Sequence, residues 1–121
     1  MKNFVIGKKI KKIIDDANIV GIGDKVFPLV ATPDTKFPFI VYRRLNYQSA
    51  SNKDYRGERI MVELVVASER YEEGLNIANS VADTLTAYTD ELIEQIELYN
   101  VQEMFLQDTF LQNIQFQIEL K

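Results

Sequence analysis

The sequence predicts an α+β fold, a mostly antiparallel sheet of about four to five strands with two helices packed on one face, in the order α-β-β-β-α-β-β. Three observations carry this. Apolar residues recur at three- and four-residue spacing in two stretches, one at the start and one in the third quarter of the chain. In several other stretches they alternate with polar residues, the period of a half-buried strand. The alternating segments are separated mainly by short turn-forming clusters, which favours hairpins over parallel crossover units.

The first helix is read from Ile6, Ile10, Ile13, Ile14 and Ala17, which share one side, while Lys8, Lys9, Lys11, Lys12, Asp15 and Asp16 take the other. Asn3 is a candidate N-cap. Gly21 and Gly23 end the helical pattern near Asn18. Lys25 to Ala31 is a short strand carrying Pro28, which cannot donate to a ladder and so belongs on a sheet edge. Residues Thr32 to Lys36 have turn chemistry.

Phe37 to Tyr47 is a stronger strand, rich in aromatic and β-branched residues. A period of two places Phe37, Phe39, Val41, Leu45 and Tyr47 on one face, the expected core face, and Ile40, Tyr42 and Arg44 on the other; Arg43 then falls on the apolar face. The polar stretch 48–57 is read as a long hairpin loop, and Arg59 to Ala67 as the return strand, with Ile60, Val62, Leu64 and Val66 on a uniform apolar face. Ser68 is the expected N-cap of a second helix over 69–88. Its expected core stripe is Tyr71, Leu75, Ala78, Val81, Ala82 and Leu85, with Gly74 as a local weakness. Residues 92–101 form a fourth strand with broken alternation, with Ile93, Tyr99 and Val101 facing one way and Ile96 and Leu98 the other. Residues 102–109 are expected to form a loop carrying Met104, Phe105 and Leu106, and Phe110 to Leu120 is the cleanest strand.

At 121 residues the chain is the size of one domain, 1–121, without an internal repeat or linker. Apolar residues make up 46% and charged residues 26%, a globular balance that argues against long disorder. There is no Cys and no His, so thiol nucleophiles, Cys/His zinc sites, iron–sulfur clusters and His-dependent catalysis are excluded. Apolar runs are too short for a transmembrane helix, and the lysines after Gly7 interrupt the place where a signal peptide needs its apolar segment. Charge is uneven: residues 1–25 carry +3, residues 26–89 carry −1 and residues 90–121 carry −6, for a net −4. Such a pattern fits ordinary solvated faces, or electrostatic complementarity within the fold or between subunits. The net negative charge disfavours general nucleic-acid binding.

The motifs that suggest chemistry are weak. Gly21-Ile22-Gly23 lacks the third glycine of a dinucleotide loop, since position 26 is Val, and reads as a helix-ending turn. The lysine run 8–12 is either a solvated helix face or a surface for an acidic partner or phosphate. The pairs Asp15-Asp16 and Glu72-Glu73 point apart on their helices and do not converge on a metal. Arg43 and Arg44, with Arg56 and Arg59 across the hairpin, either pair with Glu58 or Glu63 on neighbouring strands or form an interface. Tyr42, Tyr47 and Tyr55 on the same hairpin add to the interface reading. The polar loop is either plainly flexible or ordered on assembly.

Several segments are shared in kind with a group of small phage and prophage proteins. These are Val26-Phe27-Pro28, the strand opening Phe37-Pro38-Phe39-Ile40-Val41-Tyr42, the polar loop running into Arg59 to Ala67, the helix Gly74 to Leu85, and the closing strand Gln112 to Leu120. In this layout, over nearly its whole length, the chain resembles the tail completion (tail-to-head joining, tail terminator-like) family of long-tailed phages. Met104, Phe105 and Leu106 depart from that pattern. The resemblance implies a non-enzymatic virion protein without a cofactor, ring-forming with copies of itself and touching the tail tube and the head connector, with no membrane and no specific nucleic acid as partner. It implies residence in the host cytoplasm during assembly and then in the virion. The residues expected to make these contacts are Arg43, Arg44, Tyr47, Asn52, Lys53, Tyr55, Arg56 and Arg59. The competing reading is a small cytosolic α+β binding or adaptor module with no virion role.

Overall fold

The computed structural model describes residues 2–51 and 56–121, with side chains for 4–46 and 58–121. The chain runs α1 (Lys2–Asp16), β1 (Val26–Pro28), β2 (Phe39–Ser51), β3 (Arg56–Ser68), α2 (Tyr71–Thr86), β4 (Ile93–Leu106) and β5 (Thr109–Leu120). The five strands form one sheet in the order β1-β2-β3-β5-β4. Only β1 pairs parallel, against β2, and every other pair is antiparallel. The predicted α+β class and element order are those observed. β3 and β4 therefore run the same way with β5 between them, and α2 is the crossover that carries the chain over β5 to the far edge.

One face of the sheet and the two helices enclose the core. From α1 it takes Ile6, Ile10, Ile13 and Ile14, and from the following turn Ile19 and Ile22. Full burial of such side chains is worth about 1.5–3 kcal/mol each relative to exposure, enough to hold a short helix that would be marginal alone. Ala17 lies outside the stripe and is exposed, and α1 already begins at Lys2, so Asn3 is inside the helix and not its cap. The helix stops where expected: Asn18 has a φ of 53°, and Gly21 and Gly23 follow with left-handed φ of 88° and 59°. The Gly-x-Gly is a turn. The segment predicted as the edge strand shortens to Val26–Pro28 and lies at the sheet edge.

The sheet core comes from alternate residues of the inner strands: Ile60, Val62, Leu64 and Val66 on β3, and Ile114, Phe116, Ile118 and Leu120 on β5. On β2 the predicted faces are exchanged. Ile40 and Tyr42 are buried, whereas Phe39 and Val41 lie on the other face, half-buried. The cause is β3: Ile40 pairs with Val66 and Tyr42 with Leu64, and a strand must match its neighbour's face whatever its own apolar count. A bulge at Leu45, between Arg44 and Asn46, then carries Tyr47 to the position opposite Ile60.

The 48–57 loop is also corrected. Pairing continues through Ser49–Glu58, Ala50–Gly57 and Ser51–Arg56, so β2 and β3 reach far into the polar stretch; residues 52–55 lie outside the described part. In α2 the buried stripe is Gly74, Ile77, Val81 and Leu85, while Tyr71 and Leu75 are exposed. The helix starts one residue after Arg70, not at Ser68. Ser68 is buried and donates its hydroxyl to the Arg70 carbonyl at 2.9 Å. Gly74 fits because a Cβ there would stand 2.5 Å from Ser68 Oγ. Its absence lets the helix close on the strand end.

Two bulges reshape β4. One between Ile93 and Gln95 returns Ile93 and Ile96 to the same, core-facing side, contrary to the strict alternation expected. The other lies between Leu98 and Asn100. The expected 102–109 loop is strand to Leu106, and the hairpin turns on Gln107 and Asp108 alone, with φ of 50° and 60°. Left-handed conformation at both central residues is the requirement of the two-residue turn that suits strand twist.

Candidate interaction surface

The two described arginines on the open face of the sheet are held by cross-strand partners. Arg43 Nε donates to Glu63 Oε1 at 3.0 Å, and Gln115 Nε2 donates to the other carboxylate oxygen of Glu63 at 3.3 Å. Glu63 is only 7% exposed, so its charge is placed under this bridge across three strands. Arg59 faces Glu119 at 3.4 Å. The cross-strand pairing expected for these arginines is thus present between Arg43 and Glu63, whereas Arg59 meets Glu119 rather than Glu58 or Glu63. Arg44 points to the helix side, where its guanidinium carbon sits 4.9 Å from the centre of the Phe4 ring. The hairpin places the backbones of Tyr47 and Arg56 on its extended arms, Tyr47 paired with Ile60 and Arg56 with Ser51; Asn52, Lys53 and Tyr55 lie outside the described residues.

The lysine run of α1 is largely a salt-bridged helix face. Lys11 pairs with Asp15 at 3.1 Å and Lys12 with Asp16 at 2.8 Å, both one turn apart. Lys9 reaches Asp90 in the turn before β4. Among the described residues no group of three or more acidic side chains is placed to hold a metal, and no helix is long and apolar enough to cross a membrane.

Two concavities flank the arginines. One of about 280 Å³ on the open face is lined by Asn46, Arg59, Met61, Tyr99 and Gln117. The other, of about 560 Å³, lies between α1 and β2 and is lined by Phe4, Lys8, Leu29, Arg43, Arg44 and Leu45 among others. Both are shallow surfaces, suited to a protein contact rather than to enclosing a small ligand.

The largest exposed apolar feature lies on β4, of which the sequence reads the part up to residue 101 as strand and residues 102–106 as loop. Beyond Ile96 on β4, Leu98, Val101 and Phe105 on one face and Tyr99, Met104 and Leu106 on the other are 43–66% exposed, although the Tyr71 hydroxyl at the start of α2 donates to Glu103 Oε1 at 2.7 Å. Among the described residues only Phe105 of these has an aromatic neighbour, Phe110, with ring centres 4.7 Å apart; Phe110 in turn packs against Tyr71. Such a doubled apolar surface on an edge strand marks a contact site. Its signal in the sequence was the alternation on either side of Gln107-Asp108, hidden because neither turn residue is glycine.

No family model and no curated protein matches the sequence. The fold is shared with a chain in a solved structure described as the virion of a native gene transfer agent (GTA) particle. The TM-score is 0.71, identity is 11%, and the likeness covers 94% of this chain and 90% of that one. At that identity the likeness establishes the fold, which extends over almost the entire length of both chains.

Proposed function

We propose that the chain is a non-enzymatic structural protein of a phage-like virion, and specifically a tail completion protein that forms a ring at the head-proximal end of the tail. The observation that carries this reading is the near end-to-end likeness of fold to a chain of the gene transfer agent virion. The tail-completion resemblance of the sequence segments and the exposed apolar β4 edge add support. In this reading the chain assembles in the host cytoplasm and ends in the virion, in contact with the tail tube and the head connector. Arg44, Tyr47, Asn52, Lys53, Tyr55, Arg56 and Arg59 belong to its contact surface, whereas Arg43 serves mainly to neutralise Glu63.

The test is deletion of the gene in a host that produces the particle. The expected result is filled heads and detached tails of irregular length in electron micrographs, restored to joined particles by a plasmid copy, with the chain detected by mass spectrometry in the joined particles. Normal particles made without the chain overturn the virion role and leave the cytosolic binding module as the better reading.

A further inference from the structure

The two sides of the sheet differ in chemistry. At the β4 edge the exposed side chains are apolar, neutral polar or acidic, and none is basic: Glu94 and Glu97 stand beside Leu98, Tyr99 and Val101. From 90 to 120 the chain contains seven acids and no Lys or Arg. At the opposite side, the groove between α1 and β2 is apolar at Phe4, Leu29 and Leu45 and basic at Lys8, Arg43 and Arg44.

Backbone pairing is also incomplete on both sides. Among the described residues, β5 is the only strand that pairs with β4. β1 covers β2 only from Ile40 to Tyr42, so among the described residues no strand lies against the outer edge of β2 from Arg43 onward. Because successive pairs from β2 to β4 are antiparallel, β2 and β4 run in opposite senses. A second molecule placed to continue the sheet would bring its β4 antiparallel to β2 of the first.

We propose that β4 of one copy docks along β2 in the α1–β2 groove of the next, so that copies of this chain join head to tail through an intermolecular strand pair. Charge decides between this and the symmetric alternative. Pairing β4 with β4 would bring together two edges that each carry Glu94, Glu97 and Glu103 and no Lys or Arg, a juxtaposition of like charge that disfavours the symmetric contact. Placing the acidic edge against Lys8 and Arg44 is attractive and also orients the encounter. A contact between two different patches of one molecule repeats indefinitely unless its rotation closes it. The inference rests on the virion reading only for the closed ring; the contact itself is a property of the chain.

The absence of cysteine makes the test clean. Single-cysteine variants are made on β4 (Leu98→Cys, Asn100→Cys, Val101→Cys) and on β2 (Leu45→Cys, Asn46→Cys), with thermal melts selecting those that remain folded. Each is mildly oxidised alone and in every β2/β4 mixture, in concentrated purified protein and in particles from producing cells. The expected result is a disulfide-linked dimer in at least one β2/β4 mixture and in neither variant alone. Lys8→Glu in the β2 variant should lower that yield about tenfold, and Glu97→Lys in the β4 variant should restore it. No β2/β4 product in either setting, or efficient dimers from a β4 variant alone, overturns the proposal. Particles that contain the chain without the cross-link overturn this contact and leave the virion role standing. Cross-linked purified protein that never enters particles does the reverse.

Discussion

Lys9 of α1 and Asp90 of the turn before β4 form an ion pair that ties the first helix to the last hairpin. Asp90 also accepts the amide N–H groups of Leu92 at 2.8 Å and Ile93 at 2.7 Å, and the Tyr88 hydroxyl at 2.8 Å. Burial by itself would raise its carboxyl; the Lys9 ammonium, the Ile93 amide, the Tyr88 hydroxyl and the Leu92 amide outweigh it and hold the group well below the usual carboxylate range. The same hydrogen bond, against partial desolvation, raises Lys9. A depressed carboxylate adds stability above its unfolded pKa, near 4, and loses it as pH falls towards the folded value; the raised lysine adds stability below about 10 and loses it above. Asp90→Ala should therefore cost about 2–3 kcal/mol at pH 7. The difference from wild type should shrink steadily below about pH 4 in denaturant titrations. A pH-independent difference would assign the loss to the turn geometry and not to the charge.

Gly74 and Ser68 meet where α2 closes on the end of β3. Alanine is ordinarily better than glycine inside a helix by about 1 kcal/mol, so Gly74→Ala is stabilising if propensity alone governs. The 2.5 Å approach to the buried Ser68 hydroxyl predicts the reverse. A net loss of about 1–3 kcal/mol is expected, as for overpacking elsewhere. Ser68→Gly should relieve the clash, so the double variant should be more stable than the sum of the two single changes predicts, measured as a coupling in a double-mutant cycle.

These two sites show which parts of the molecule were legible in the sequence. The isoleucine stripe of α1 and the alternation of β5 depend on local period, and both were read correctly. What the period missed was set by neighbours. The burial of Ile40 and Tyr42 follows from β3, and the reason for Gly74 lies on another element. The bulge that returns Ile93 and Ile96 to the core carries no glycine to announce it. At the candidate surface, the pairing of Arg43 with Glu63 was anticipated from strand chemistry, whereas Lys9–Asp90 joins distant segments that no periodicity relates. The β4 tip was hidden because its turn residues, Gln107 and Asp108, are not the usual ones.

Arg43 and Glu63 allow the contribution of the cross-strand bridge to be separated from that of the interface. Glu63 is 9% exposed at its side chain, Arg43 54%. Removing the arginine leaves a covered carboxylate with Gln115 as its remaining partner, which costs more than losing an exposed pair. Arg43→Met should destabilise by about 1–2 kcal/mol. Combining it with Glu63→Leu should recover most of that, because no unpaired charge is left buried. Urea denaturation of the four species measures the coupling. Additive effects would mean that Arg43 is free to act as a contact residue.

The β4–β5 turn offers a gain in stability. Gln107 and Asp108 both occupy the left-handed region, with φ of 50° and 60°. That conformation strains an L-residue with a Cβ; asparagine tolerates it better and glycine has no penalty. Gln107→Asn with Asp108→Gly supplies the residue pair that favours this turn. The variant should be stabilised by about 0.5–1 kcal/mol, less than the strain relieved, because glycine also gains freedom in the unfolded chain. Since the change lies at the tip of the hairpin and alters no side chain of β2 or α1, it should leave β2/β4 cross-linking at its original yield. A rise in thermal midpoint with unchanged cross-linking is the expected pair of measurements. A fall in the midpoint would mean that Gln107 and Asp108 make contacts in the folded hairpin that outweigh their backbone strain.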